Sequence, residues 1–138
     1  MTTANAATTR PADTHAVTLL RRFLTLDAVV SGGNGLAYVI APAWVGDLLG
    51  VSSGVLVPIG IALIAFALAV GAIAMSRNPL RGAGLVIEFN LAWVVASLAV
   101  AAFNVFGANT IGVVWTVMQA GTVALFAALQ WTAVRKAK

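Results

Sequence analysis

Residues 51–75 read VSSGVLVPIGIALIAFALAVGAIAM and contain no charged side chain. A helix needs ~20 apolar residues to cross the hydrocarbon core of a bilayer, and this stretch supplies them with room for tilt. Working outward, three comparable stretches accompany it, at about 23–42, 82–103 and 111–132. The first holds one charge at Asp27, the second one at Glu88, and the last none. The whole chain of 138 residues is 61% hydrophobic and only 9% charged, whereas soluble domains run near ~25% charged. Mean hydropathy is +0.99. The sequence therefore predicts an all-α fold, a four-transmembrane-helix bundle over residues 16–138. Residues 1–15, MTTANAATTRPADTH, are small and polar with no apolar period, and are expected to form a disordered cytoplasmic tail.

The basic residues fix an expected orientation, because arginine and lysine near span ends are retained on the cytoplasmic side. Arg10, Arg21 and Arg22 precede the first span, Arg77 and Arg81 lie between the second and third, and Arg135, Lys136 and Lys138 follow the fourth. The other two connections, APAWVGDLLG and NVFGANT, hold no basic residue. Both termini are thus expected in the cytoplasm, with the protein multi-pass in the plasma (inner) membrane. Arg21-Arg22-Phe23-Leu24-Thr25 has the look of an export signal, but three more apolar spans follow and no A-x-A-like cleavage site stands out. The first span is expected to stay in the mature protein.

Composition also excludes chemistry. Cysteine is absent and the single histidine, His15, lies in the polar head. Disulfides, iron–sulfur ligation, haem held by histidine pairs and the usual zinc sites have no ligands here. Lysine occurs only at Lys136 and Lys138, which removes an intramembrane Schiff base. No metal and no cofactor are expected. Net charge is +4, but without aromatic interleaving or a binding motif the basic residues suit lipid headgroups and not nucleic acid. The lipid bilayer is the expected partner, with a homo-oligomer or an unidentified protein partner beyond it.

A polar group in hydrocarbon must find a partner, so those that share a face carry the information. Asp27, Ser31, Asn34 and Tyr38 fall four, three and four apart, which stacks them on one stripe of the first span. Gly32, Gly33 and Gly35 flank that stripe and admit a neighbouring backbone. Asn90, Trp93 and Ser97 make a stripe in the third span; Trp115, Gln119, Thr122 and Phe126 make one in the fourth. At a rise of ~1.5 Å per residue, Asn34, Trp93 and Gln119 come to a common depth roughly 17 Å from the cytoplasmic edge, with Asp27 and Glu88 shallower at roughly 6 to 9 Å. Glu88 lies about 200° round the helix from Asn90, so the two cannot face one seam. Pro58 frees the Gly54 carbonyl near the outer end of the second span, a device for a kink. Trp44, Phe106 and Trp131 near span ends read as interfacial anchors.

An intramembrane carboxylate costs several kcal/mol and demands an explanation. On one reading Asp27 and Glu88 form a proton-titrating or cation-binding pair reached from the cytoplasm, below a layer of Asn34 and Gln119 that holds a polar ligand. On the other, each pairs with an edge arginine such as Arg22, Arg77, Arg81 or Arg135, and the amides fix helix register. No nucleophile with an adjacent base is present, and no enzyme activity is expected.

The halves of the chain show a weak internal likeness. Leu20-Arg21, Asp27 and Asn34-Gly35-Leu36-Ala37-Tyr38 are echoed by Leu80-Arg81, Glu88 and Asn90-Leu91-Ala92-Trp93. This suggests a parallel two-plus-two repeat. With the opening Leu20-Arg21-Arg22-Phe23-Leu24-Thr25-Leu26-Asp27 and the run Asn90-Leu91-Ala92-Trp93, the chain resembles small four-helix membrane proteins of actinobacteria, DoxX-like in layout. That resemblance implies association with a membrane redox complex, here as a scaffold or quinone-site subunit. Length and span count are also similar to those of small multidrug resistance transporters, whose functional first-helix glutamate has only Asp27 as a counterpart. The expected function is a non-enzymatic membrane protein whose core binds a small ligand or packs against partners. The alternatives are a proton-coupled transporter or channel using Asp27 and Glu88, and a membrane subunit of a redox complex.

Overall fold

The computed structural model describes residues 11–138, and no strand occurs among the described residues. Helix α1 runs Pro11–Ile40, α2 Pro42–Leu49, α3 Ser53–Met75, α4 Leu80–Phe103 and α5 Thr110–Ala137. All but α2 are long and apolar enough to cross a membrane. Such helices satisfy their backbone polar groups internally, which hydrocarbon requires. The 30 residues of α1 extend ~45 Å at ~1.5 Å each, well beyond the ~30 Å of a hydrocarbon core.

The excess length of α1 lies at its start. Of the tail expected over residues 1–15, residues 1–10 lie outside the described residues and 11–15 are already helical. Ala16, Leu20 and Leu24 recur every fourth residue and are all buried, so packing carries the helix past Arg21 and Arg22. At its other end α1 stops at Ile40, ahead of Pro42, which cannot donate to the ladder. The expected plain connection after it is in fact the short helix α2. Pro42 opens α2, where its missing N–H costs nothing, and Val45 and Leu49 bury its inner side. Gly50 closes α2 in the left-handed region at φ 73°, its N–H donating to the Gly46 carbonyl at 2.8 Å.

The long helices are arranged in the order α3, α1, α5, α4. α1 packs along α3 and along α5, and α4 along α5, whereas α3 and α4 barely meet. Neighbours run antiparallel: Gly35 of α1 faces Gly60 of α3 and Gly32 faces Ala67. The α1–α3 approach is close enough to require glycine. A Cβ on Gly35 would stand 2.7 Å from the Gly60 carbonyl oxygen, and one on Gly60 would stand 2.8 Å from that of Gly35. The pairs α1–α3 and α4–α5 form two antiparallel halves, but they dock unevenly. A twofold axis would make the α1–α5 and α3–α4 seams alike, and only the first is packed.

Antiparallel order gathers Arg21 and Arg22, Arg77 and Arg81, and Arg135, Lys136 and Lys138 at one end, called the basic end below. Just inside it an apolar cluster is formed by Leu20 and Leu24, Val70 and Ala74, Ala83 and Val86, and Ala133 and Val134. A second cluster, Tyr38, Val45, Leu49, Leu56 and Leu63, lies toward the opposite end. There Asn109 clips α2 to the start of α5. Its backbone N–H donates to the Leu49 carbonyl at 3.0 Å and its Nδ2 to the Leu48 carbonyl at 3.1 Å, while its Oδ1 caps α5 by accepting from the Gly112 N–H at 2.9 Å.

Candidate functional site

The polar side chains between the two clusters form two separate groups. In the first, Asp27 of α1 is 0% exposed and accepts from three donors. Asn90 Nδ2 and Gln130 Nε2 each reach Asp27 Oδ2 at 2.7 Å, and Ser31 Oγ reaches Oδ1 at 3.2 Å. Asn90 Nδ2 also approaches Gln130 Oε1 at 3.2 Å. Three helices are tied together, and both carboxylate oxygens, acceptors only when ionised, are engaged. Asn90 is 2% and Gln130 0% exposed.

This group corrects two expectations. Asp27 pairs with no edge arginine: Arg22, Arg77, Arg81 and Arg135 are exposed at the rim. Arg21 instead donates to the carbonyls of Ala74 at 2.5 Å and Ser76 at 2.7 Å. Those carbonyls close α3, where orphan acceptors and the negative end of the dipole attract a cation. Arg135 lies over the Trp131 ring, 4.8 Å from its centroid. Nor does Asp27 share a site with Glu88. Glu88 is exposed on α4 and has no hydrogen-bond or ion-pair partner among the described residues, as its angular offset from the buried Asn90 demands. Access from the basic end is also blocked, since the apolar cluster around Leu20 and Leu24 lies between Asp27 and that end.

Gln130 is the member of this group that the sequence reading missed, and Leu63, Phe66 and Phe89 are wall residues of the cavity described below that it also did not single out. A signal existed: Gln130 lies eleven residues after Gln119, only about 20° off three full turns of a helix, so both face the same interior.

In the second group, Trp93 Nε1 donates to Gln119 Oε1 at 3.3 Å, and Gln119 Nε2 to Ser97 Oγ at 3.2 Å. Trp115 Nε1 donates to Tyr38 Oη at 2.8 Å. These bonds surround empty space. A cavity of about 260 Å³ is lined by Ser31 and Asn34 of α1, Leu63 and Phe66 of α3, Phe89, Asn90 and Trp93 of α4, and Trp115, Gln119, Thr122 and Phe126 of α5, among others. A second cavity, also about 260 Å³, adjoins it toward α2 and is lined by Tyr38, Leu49, Leu56, Ser97, Phe106 and Thr116 among others. Both share Leu63, Trp93, Trp115 and Gln119, which stand between them, and the two adjoining cavities are called the lobes of one chamber below. Phe106, expected as an interfacial anchor, is exposed and also forms part of the second lobe's wall, and Trp44 and Trp131 are exposed as well.

The expected common layer of Asn34, Trp93 and Gln119 is thus found on one cavity, but only Trp93 and Gln119 are bonded to each other. Asn34 is half-buried and its amide has no hydrogen-bond partner among the described residues. Ser31 and Asn90 belong to both groups: they bond Asp27 and also form the cavity floor. Among the described residues no cluster of three or more histidine, cysteine, aspartate or glutamate side chains is placed to hold a metal. Compared with known proteins, the chain matches no family model, no curated protein and no solved structure.

Proposed function

We propose that this chain is a non-enzymatic multi-pass protein of the plasma membrane, with both termini in the cytoplasm, whose two-lobed chamber holds a small ligand. The observation that carries the reading is the cavity of about 260 Å³ onto which the unpartnered Asn34 amide faces. A mostly apolar cavity with a few convergent polar groups is the usual form of a small-molecule site. The first lobe has no titratable side chain in its wall, which favours binding over turnover. The cytoplasmic placement of the termini rests on the single basic end and the retention of cations on that side.

Proton-coupled transport through Asp27 and Glu88 is the weaker reading. Asp27 is engaged by three donors and capped by the apolar cluster, and Glu88 faces away from it.

Native mass spectrometry of the protein released from its own membrane tests the proposal. A stoichiometric small-molecule adduct is expected, and it should vanish in Asn34→Trp, which fills the first lobe. An adduct that persists in Asn34→Trp would place the molecule outside the first lobe, away from the Asn34 amide, and overturn the reading.

A further inference from the structure

The chamber is shut at both ends of the bundle. Toward the basic end lie the Asp27 group and the apolar cluster beneath it. Toward the other end Leu49 and Val51 close the second lobe, and Asn109 ties α2 to α5 by two hydrogen bonds. Three of the four lateral seams are packed helix against helix. The exception is the seam between α3 and α4. It is bridged by Phe66 on Phe89, with ring centroids 5.2 Å apart and planes 22° from parallel. Both rings form part of the first lobe's wall, and Phe89 is 57% exposed on the lipid side. The wall along this seam is made of side chains with no packed helix pair behind it, so the way past these two rings is the route to acyl chains that parts no packed backbones.

The walls also select by charge. The carboxylate nearest the floor has its oxygens occupied by Ser31, Asn90 and Gln130, so a cation in the chamber meets no free counter-charge. Aromatic rings at Trp93, Trp115 and Phe126 attract a cation only through their quadrupoles, and removing an ion from water costs more than such contacts return. Asn34 supplies an unused donor and acceptor for one uncharged polar group. Each lobe is slightly smaller than the ~300–1,000 Å³ of sites for drug-sized ligands, and the two together fall within that range.

We infer that the ligand is a neutral, lipid-soluble molecule bearing one hydrogen-bonding group, that it enters from the bilayer between α3 and α4 past the Phe66–Phe89 stack, and that its polar group docks at Asn34. The inference rests on the proposed chamber and adds the ligand's charge and route.

The test uses the full chain in lipid nanodiscs on a Trp44→Phe, Trp131→Phe background, so that fluorescence reports on Trp93 and Trp115. The probes are 4-bromobenzyl alcohol and 4-bromobenzyl-trimethylammonium, compared at equal membrane-bound concentration, because bromine quenches indole emission on contact. Saturable quenching by the alcohol and not by the ammonium is expected. Asn34→Leu should weaken it about fivefold, the equivalent of one hydrogen bond of ~1 kcal/mol. Phe89→Ala should speed the onset about two- to tenfold, since an aromatic pair is worth ~0.5–1.5 kcal/mol. Phe66→Leu, which keeps an apolar side chain against the core, gives the same comparison from the other ring. Equal quenching by the ammonium would overturn the neutral ligand. An onset unchanged in both phenylalanine variants would overturn the portal. No saturable quenching by either probe would remove the chamber itself as a binding site.

Discussion

The Asp27 group and the Trp93–Gln119 group use similar side chains and differ in how their hydrogen bonds balance. Around Asp27 one carboxylate supplies acceptor capacity for two amides and a hydroxyl. Donors from three side chains converge on it and the helices close around it. Around Gln119 the acceptors are a single amide carbonyl and the hydroxyls of Ser97 and Tyr38, shared among two indoles and an amide. There the bonds are mostly longer, the aromatic rings stand apart, and Asn34 is left over beside a cavity. The contrast teaches that a buried carboxylate in this bundle acts as a fastener, while the neutral layer above it leaves room for something else. Any variant that exchanges these behaviours breaks the contrast.

The largest effect is expected from Asp27→Leu. It removes three hydrogen bonds and leaves the Asn90 and Gln130 amides facing apolar carbon. Interhelical bonds in membranes are worth ~0.6–1.7 kcal/mol each, so a loss of about 2–4 kcal/mol is expected in reversible unfolding from detergent micelles. Gly35→Val comes next, at about 1–3 kcal/mol by the same measurement, because its side chain must displace the Gly60 backbone. Gln119→Leu should cost only about 1 kcal/mol, since its bonds to Trp93 and Ser97 are long and lie beside a cavity that can relax. A Gln119→Leu loss equal to that of Asp27→Leu would erase the difference between the two layers. Arg21→Met should cost about 0.5–1 kcal/mol through the uncapped carbonyls of Ala74 and Ser76, and the cost should fall off as salt is added.

Much of this arrangement was legible in the chain. Long apolar runs with at most one charge give the spans, and the four-three-four spacing from Asp27 to Tyr38 gives the inward face of α1. The stripe Trp115, Gln119, Thr122 and Phe126 falls on the cavity wall. The partners of Asp27 were not legible, for a physical reason. Depth alone places it within reach of the rim arginines. What draws Arg21 elsewhere is the set of unsatisfied carbonyls at the end of α3, visible only once α1 and α3 lie side by side. Gln130 was overlooked because it occurs among residues near the basic end, although its spacing from Gln119 turns it inward. Helix α2 was obscured because Pro42 ends one helix and starts another, and only the burial of Val45 and Leu49 distinguishes that from a loop.

The smallest expected effect belongs to the other intramembrane carboxylate. Glu88 is two residues from Asn90, but about 200° round α4, and it is exposed where Asn90 is buried. It lies two helical turns from Arg81 with Gly84 between them, on a side of α4 where a Cβ on Gly84 would meet nothing within 4 Å. Glu88→Gln removes a charge and no bond, so stability in detergent should stay within about 0.5 kcal/mol of the parent chain, as for surface substitutions. Quenching of Trp93 and Trp115 by the alcohol probe should be unchanged as well. In a bilayer, where a lipid-facing charge carries a penalty, the variant should be no less stable than the parent. A loss above about 1 kcal/mol in both media would mean that Glu88 turns inward to join Asp27, which would convert the fastener into a paired carboxylate site and end the distinction between the two layers.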